Sequence, residues 1–199
     1  MKFGEMVSLI KSDIALKQRW FLYKEDWFNH HVRVYLEPGT IAVLLYRYGS
    51  WVRALKVPVA KQLLLVPYVI GKVLVVLAFS IFIPSRLVVG PGFAIHNFGG
   101  IFLPATTVGK NFIVFQGVTV GHLRGQGGRP PRIGDNVMLA AGAKVLGDIT
   151  VGSNVIVGAN SLVITDVPDG STVVGVPARI MSRDTSWIEE KLEGKGDHW

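Results

Sequence analysis

The chain predicts a parallel β-helix preceded by a helical region, and two observations carry this. From Val89 to Val163 aliphatic residues return about every six positions. A short fixed period of this kind marks a solenoid, whose coils bury a core only by stacking on one another. Before residue 84 that period is absent, and apolar residues fall at spacings a helix uses.

Residues 1–84 read as an α-helical N-terminal domain. Leu9, Ile10, Ile14, Leu16 and Trp20 recur at helical spacings. Pro38-Gly39 breaks the chain, and Thr40 is expected to cap a helix running through Trp51. The segment 63–83 is nearly all apolar, interrupted by Pro67, Gly71, Lys72 and Ser80. Its length, about 21 residues, is enough to span a bilayer. A lysine near its centre opposes burial in hydrocarbon. A helix buried in an oligomer, or one lying in the membrane interface, suits the segment as well.

Residues 85–182 read as the β-helix. Aliphatic residues stand at Val89, Ile95 and Ile101, then at Val108, Val114 and Val120. They resume at Ile133, Leu139, Val145, Val151, Val157 and Val163, often with Gly or Ala next in sequence. Three hexads make one triangular coil with aliphatic side chains inward, giving about four coils. The interruption at 122–132 is rich in Gly and Pro and reads as an extruded loop, a length class that is often functional. The polar residues 183–199 read as a tail.

Composition narrows the chemistry. A length of 199 residues suits one or two small domains. There is no cysteine, which excludes disulfides, thiolate metal sites and a cysteine acyl-enzyme. The first residues lack the apolar region of a signal peptide, so a cytoplasmic location is expected. Residues 1–86 hold twelve Lys and Arg against five Asp and Glu, whereas residues 87–199 hold nine of each. The net charge of +7 thus lies before the β-helix and suits either a solvated surface with no partner or an anionic one such as the inner face of the plasma membrane, with no nucleic acid expected.

The repeats, the glycine-rich loop and Gly175-Val176-Pro177-Ala178-Arg179 resemble the serine O-acetyltransferase branch of the left-handed β-helix acyltransferases. Gln116-Gly117-Val118-Thr119-Val120-Gly121, Gly142-Ala143-Lys144-Val145-Leu146-Gly147, and Gly39, Ala42, Tyr46-Arg47, Gly49 and Trp51 extend the likeness over about residues 36–182. It implies a homotrimer, left-handed coils, and acetyl transfer from acetyl-CoA to a hydroxyl, with no metal. A hydroxyl needs a base, usually His, to take its proton. Backbone N–H groups at a coil corner can hold the oxyanion.

Two histidines lie in the β-helix region. Ungapped alignment with the family motif puts Asn97 at the position of the catalytic His, with His96 just before it. His96 is the first candidate for the base, if the corner slips by one residue. His122, where the loop opens and where the family holds the thioester end of CoA, is the second. The resemblance maps cofactor contacts onto Gly121, Ala141 and Ala159 along the groove, and onto Lys144 and Arg179 for the phosphates. Arg124 and Arg129 would close over the acceptor. Pro130 replaces the histidine of the family's serine-binding pair, and His96, with Asn97 at the catalytic position, stands where the family carries an acidic residue that contacts serine. These departures point away from free serine, toward a saccharide or lipid-linked saccharide acceptor of bacterial surface-polysaccharide synthesis. Serine O-acetylation in cysteine synthesis is the alternative, and a non-catalytic hexapeptide scaffold is a third. A β-helix carbonic anhydrase needs three zinc-binding His, and the β-helix has two.

Overall fold

The structure is a computed structural model that describes residues 1–22, 27–104, 107–122, 128–182 and 184–185. The first coil holds β1 (Ile81–Phe82), β2 (Val88–Val89) and β3 (Phe93–Ile95), and the second β4 (Ile101–Phe102), β5 (Thr107–Val108) and β6 (Phe112–Val114). The third holds β7 (Thr119–Gly121), β8 (Arg132–Ile133) and β9 (Met138–Leu139), and the fourth β10 (Lys144–Leu146), β11 (Thr150–Val151) and β12 (Ile156–Val157). A partial fifth has β13 (Leu162–Val163) and β14 (Thr172–Val174), and β15 (Arg179–Ser182) folds back antiparallel on β14. Strands pair in parallel one coil apart. This makes three sides: β1, β4, β7, β10 and β13; then β2, β5, β8 and β11; then β3, β6, β9, β12 and β14.

Every one of the twelve aliphatic positions of the repeat is at most 5% exposed, so the inward stack is continuous. Apolar area removed from water drives this packing. Some corners are turned by asparagine. Asn111, Asn136 and Asn154 adopt φ of 54°, 56° and 56°, which Asn tolerates better than most residues. Their amides form a ladder: Asn111 Nδ2 donates to Asn136 Oδ1 at 2.9 Å, and Asn136 Nδ2 to Asn154 Oδ1 at 2.8 Å.

The third side is apolar on both faces. Ala94, Ile113, Met138 and Ile156 point outward yet are buried, because Leu16 and Trp20 lie over them. Sheets buried on both faces need such a cover. It comes from α1 (Phe3–Lys17) and the π-helical turn Gln18–Leu22 that follows it. After α2 (Val34–Leu36), α3 (Pro38–Ala54) seats its first turn on the first coil. A methyl group built on Gly39 would run into the carbonyl of Ile95, so the absent side chain sets how close helix and coil approach.

A buried ion pair fastens the two parts. Arg47 donates to Asp13 Oδ2 and Oδ1 at 2.8 and 3.0 Å, and to the carbonyls of Val89 and Gly90 at 2.7 and 2.6 Å. Asp13 also accepts the Phe93 N–H at 2.7 Å. Both side chains are 2% exposed.

Two expectations are corrected. Thr40 does not cap α3. The cap position is Glu37, with Pro38 opening the helix, and Thr40 lies buried inside its first turn with a hydroxyl that has no partner among the described residues. Pro38 suits a first turn because its missing N–H has no intrahelical partner there in any case. The apolar helix is α4, Pro58–Phe79, and not 63–83. Ser80 in the left-handed conformation ends it, and Ile81 and Phe82 leave it for β1. Their apolar character belongs to the first coil and cannot be told from helix by hydropathy.

Candidate active site

Two corners of the prism carry the candidate residues. The corner joining the third side to the first is a ridge running up the stack. Between strand positions it holds Phe115–Val118, Ala140–Ala143 and Gly158–Ser161 in the upper coils. In the first coil, pairing of Ile95 with Val114 and of Phe102 with Thr119 leaves six residues, His96–Ile101, where the others have four. The two extra residues bulge this corner.

His96 turns back toward the helices. Its ring stacks on Phe21 with centroids 4.0 Å apart and planes 3° apart, and meets the edge of Phe115 at 5.3 Å. Nδ1 is buried without a hydrogen-bond partner among the described residues. Nearby, the buried Lys17 ammonium donates to the Ile95 carbonyl and pairs with Glu37 at 2.5 Å. Burial, and then the Lys17 charge, push the His96 pKa below the ordinary imidazole value of 6.5, with Glu37 opposing. His96 is therefore neutral at neutral pH. Because the folded value is the lower one, its contribution to stability is complete above pH 6.5 and is lost as pH falls through the folded value. Urea midpoints of the wild type and His96→Phe should run parallel above pH 6.5 and converge below it. A gap that stays constant with pH would show an unperturbed imidazole.

Asn97 is exposed at φ 62° and donates from Nδ2 to Gln116 Oε1 at 3.1 Å. Higher on the ridge, Ala143 N–H closes a turn on the Ala140 carbonyl at 3.1 Å, with Gly142 at φ 73°. Ser161 N–H closes the equivalent turn on Gly158 at 3.3 Å. In such turns the second residue points its N–H outward. The N–H groups of Ala141 and Ala159 bond no described residue. With only methyl side chains there, a ligand can reach the backbone.

The other corner joins the first side to the second in the third coil, where the loop leaves. His122 is exposed, and its Nδ1 lies 3.1 Å from the Gly128 carbonyl. A carbonyl only accepts, so Nδ1 carries the hydrogen and Nε2 is the bare nitrogen. Arg129 is exposed on the returning arm, and Arg124 lies outside the described residues. Gly121, at the end of β7, is buried against Pro104. Lys144 Nζ donates to the Gly117 carbonyl at 2.5 Å and to Thr119 Oγ1 at 3.1 Å, tying two coils together. Arg179 is exposed on β15. Within one chain the ridge residues His96, Asn97, Ala141 and Ala159 thus share one corner, and His122 and Arg129 share another. Sequence reasoning passed over Phe21, Lys17 and Glu37, which shape the surroundings of His96. Only the isolated charge of Lys17 within an apolar helical pattern could have marked them.

Residues 130–165 match the family described as bacterial transferase hexapeptide (six repeats). This stretch runs from the returning arm of the loop to β13 and carries the repeat of that family. Over 90 residues the chain is 50% identical to the serine acetyltransferase of Staphylococcus aureus (strain Mu50), and 48% to that of Staphylococcus xylosus. These matches cover 45% of this chain and 42% of each relative, so the chain aligns with less than half the length of the curated relatives. The serine acetyltransferase of Vibrio cholerae superposes with a TM-score of 0.78 at 26% identity, covering 95% of this chain and 70% of that one. A serine acetyltransferase solved as a complex with CoA superposes at 0.73, with 27% identity over 90% of this chain and 71% of that one. The hexapeptide-repeat coils are those of a left-handed β-helix with a helical N-terminal region, as expected.

These comparisons overturn the saccharide acceptor and the place in polysaccharide synthesis. The relatives and the matching structures are serine acetyltransferases. The expectation rested on Pro130 and Asn97, two positions in loop and corner segments. Such segments vary while the scaffold and its chemistry persist.

Proposed function

We propose that this chain transfers acetyl from acetyl-CoA to the hydroxyl of serine. The observation that carries the reading is the exposed His122, whose Nδ1–H is held by the Gly128 carbonyl, which leaves Nε2 as the nitrogen that can act as a base. Acetyl-CoA supplies the acetyl group as a thioester. Nε2 takes the hydroxyl proton as the oxygen attacks the thioester carbonyl, and returns it to the departing thiol. The outward N–H groups of Ala141 and Ala159 hold the cofactor's amide-bearing arm along the ridge, and Arg179 meets its phosphates. Arg129 holds the serine carboxylate with its planar fork. His96, walled by Phe21 and Phe115, shapes the floor of the first corner.

The same reading assembles the chain as a homotrimer, in which the ridge of one copy faces the loop corner of the next. This arrangement unites the two groups of residues that a single chain holds apart.

Thiol release from acetyl-CoA is the test, with mass spectrometry of the product. Release that depends on serine and yields O-acetylserine is expected. CoA binding without serine-dependent release would assign another acceptor, and failure to bind CoA would leave a scaffold without this activity.

A further inference from the structure

The outer face of α4 has no role in acetyl transfer. Val59, Leu63, Val66, Ile70, Val73 and Leu77 recur at the helical period along it and are all at least half exposed, Leu63 at 69% and Leu77 at 77%. A helix on a protein surface ordinarily shows polar residues on its outer side. Here both sides are apolar. The inner side is already occupied: Tyr68 lies against Gly49, Gly71 against Leu45, and Val75 joins the core of the β-helix. A contiguous apolar strip of this length exceeds what monomeric proteins normally expose.

Charge selects the occupant. From Pro38 to Gly134 the sequence has no Asp or Glu and ten Lys and Arg. Arg53, Lys56 and Lys61 stand at the start of α4, and Lys72 lies within it, its ammonium 4.9 Å from the ring of Phe82. A second copy of the same face would bring Arg53, Lys56, Lys61 and Lys72 against a surface that is itself basic. A bilayer carrying anionic lipid supplies both an apolar interior and a complementary charge. We infer that α4 seats the protein on an anionic membrane surface, its outer residues in the acyl boundary and the flanking lysines and arginines at the headgroups. The helix lies along the interface and does not cross it, because its inner side is packed on α3 and the first coil and Lys72 sits midway.

This inference stands apart from the identity of the acceptor. The full-length protein is floated with phosphatidylcholine vesicles, with and without phosphatidylglycerol, at low and high salt. It should rise with the anionic vesicles, at least tenfold more than with the neutral ones, and less at high salt. The variant Leu63→Glu with Ile70→Glu should lose flotation by a similar factor while keeping its circular dichroism, its thermal midpoint and its oligomer mass. Absence of flotation with anionic vesicles, or a variant that floats as well as the wild type, would overturn the inference. So would a wild type whose oligomer mass drops on the same substitutions, since that assigns the face to a second copy.

Discussion

His122→Ala is expected to slow acetyl transfer about 10²–10⁴-fold, the usual contribution of a positioned general base, while CoA still binds. The loss should fall on kcat, because the imidazole acts only as the hydroxyl oxygen begins to attack. The basis is geometric. A base needs a bare nitrogen in reach of substrate and a second group that fixes the tautomer. The 3.1 Å contact of Nδ1 with the Gly128 carbonyl gives His122 the second of these, and its ring is exposed. His96 has neither arrangement, with Nδ1 buried and unpartnered among the described residues and the ring stacked on Phe21. His96→Ala should therefore lower stability more than turnover. The reverse pattern, with His96→Ala inactive and His122→Ala active, would return the base to the first corner.

Arg47→Ala should lower the stability of the whole chain by about 3–5 kcal/mol, the cost of leaving one member of a buried ion pair alone. Asp13 would be left in a site 2% exposed, with the backbone N–H groups of Phe93 and Gly92 as its partners. The Val89 and Gly90 carbonyls would also lose their donor. Urea unfolding of the two single variants and the double variant Asp13→Ala with Arg47→Ala measures this. The double variant should lose less than the two singles together, because the pair acts as one unit. Full additivity would mean that the contact between Arg47 and Asp13 holds nothing in common.

Much of this was legible along the chain, and the reason is the range of the interactions. The repeat from Val89 to Val163 is local and periodic, and each aliphatic residue needs only its counterpart one coil away. All twelve positions accordingly fill the core. The break expected at 122–132 was legible because Gly and Pro cannot continue a strand, and β7 ends at Gly121 while β8 takes in Arg132. The end of α4 was not, since Ile81 and Phe82 are as apolar as the helix before them and only pairing with Ile101 and Phe102 draws them into the first coil. The surroundings of His96 and His122 were likewise closed to sequence. They depend on Phe21, 75 positions before His96, and on a carbonyl six positions after His122.

The order of residues alone dictates a coiled stack of short strands with an aliphatic interior, an extruded loop at its third coil and a helical region ahead of it, because each follows from neighbours within a few positions. Packing decides the rest. It pairs Asp13 with Arg47 across 34 positions, bulges the first corner by two residues, half-buries one histidine and exposes the other, and turns an apolar side of α4 outward. These depend on which distant surfaces meet, and a buried charge or an unpaired ring nitrogen acquires its energy only once water has been excluded around it.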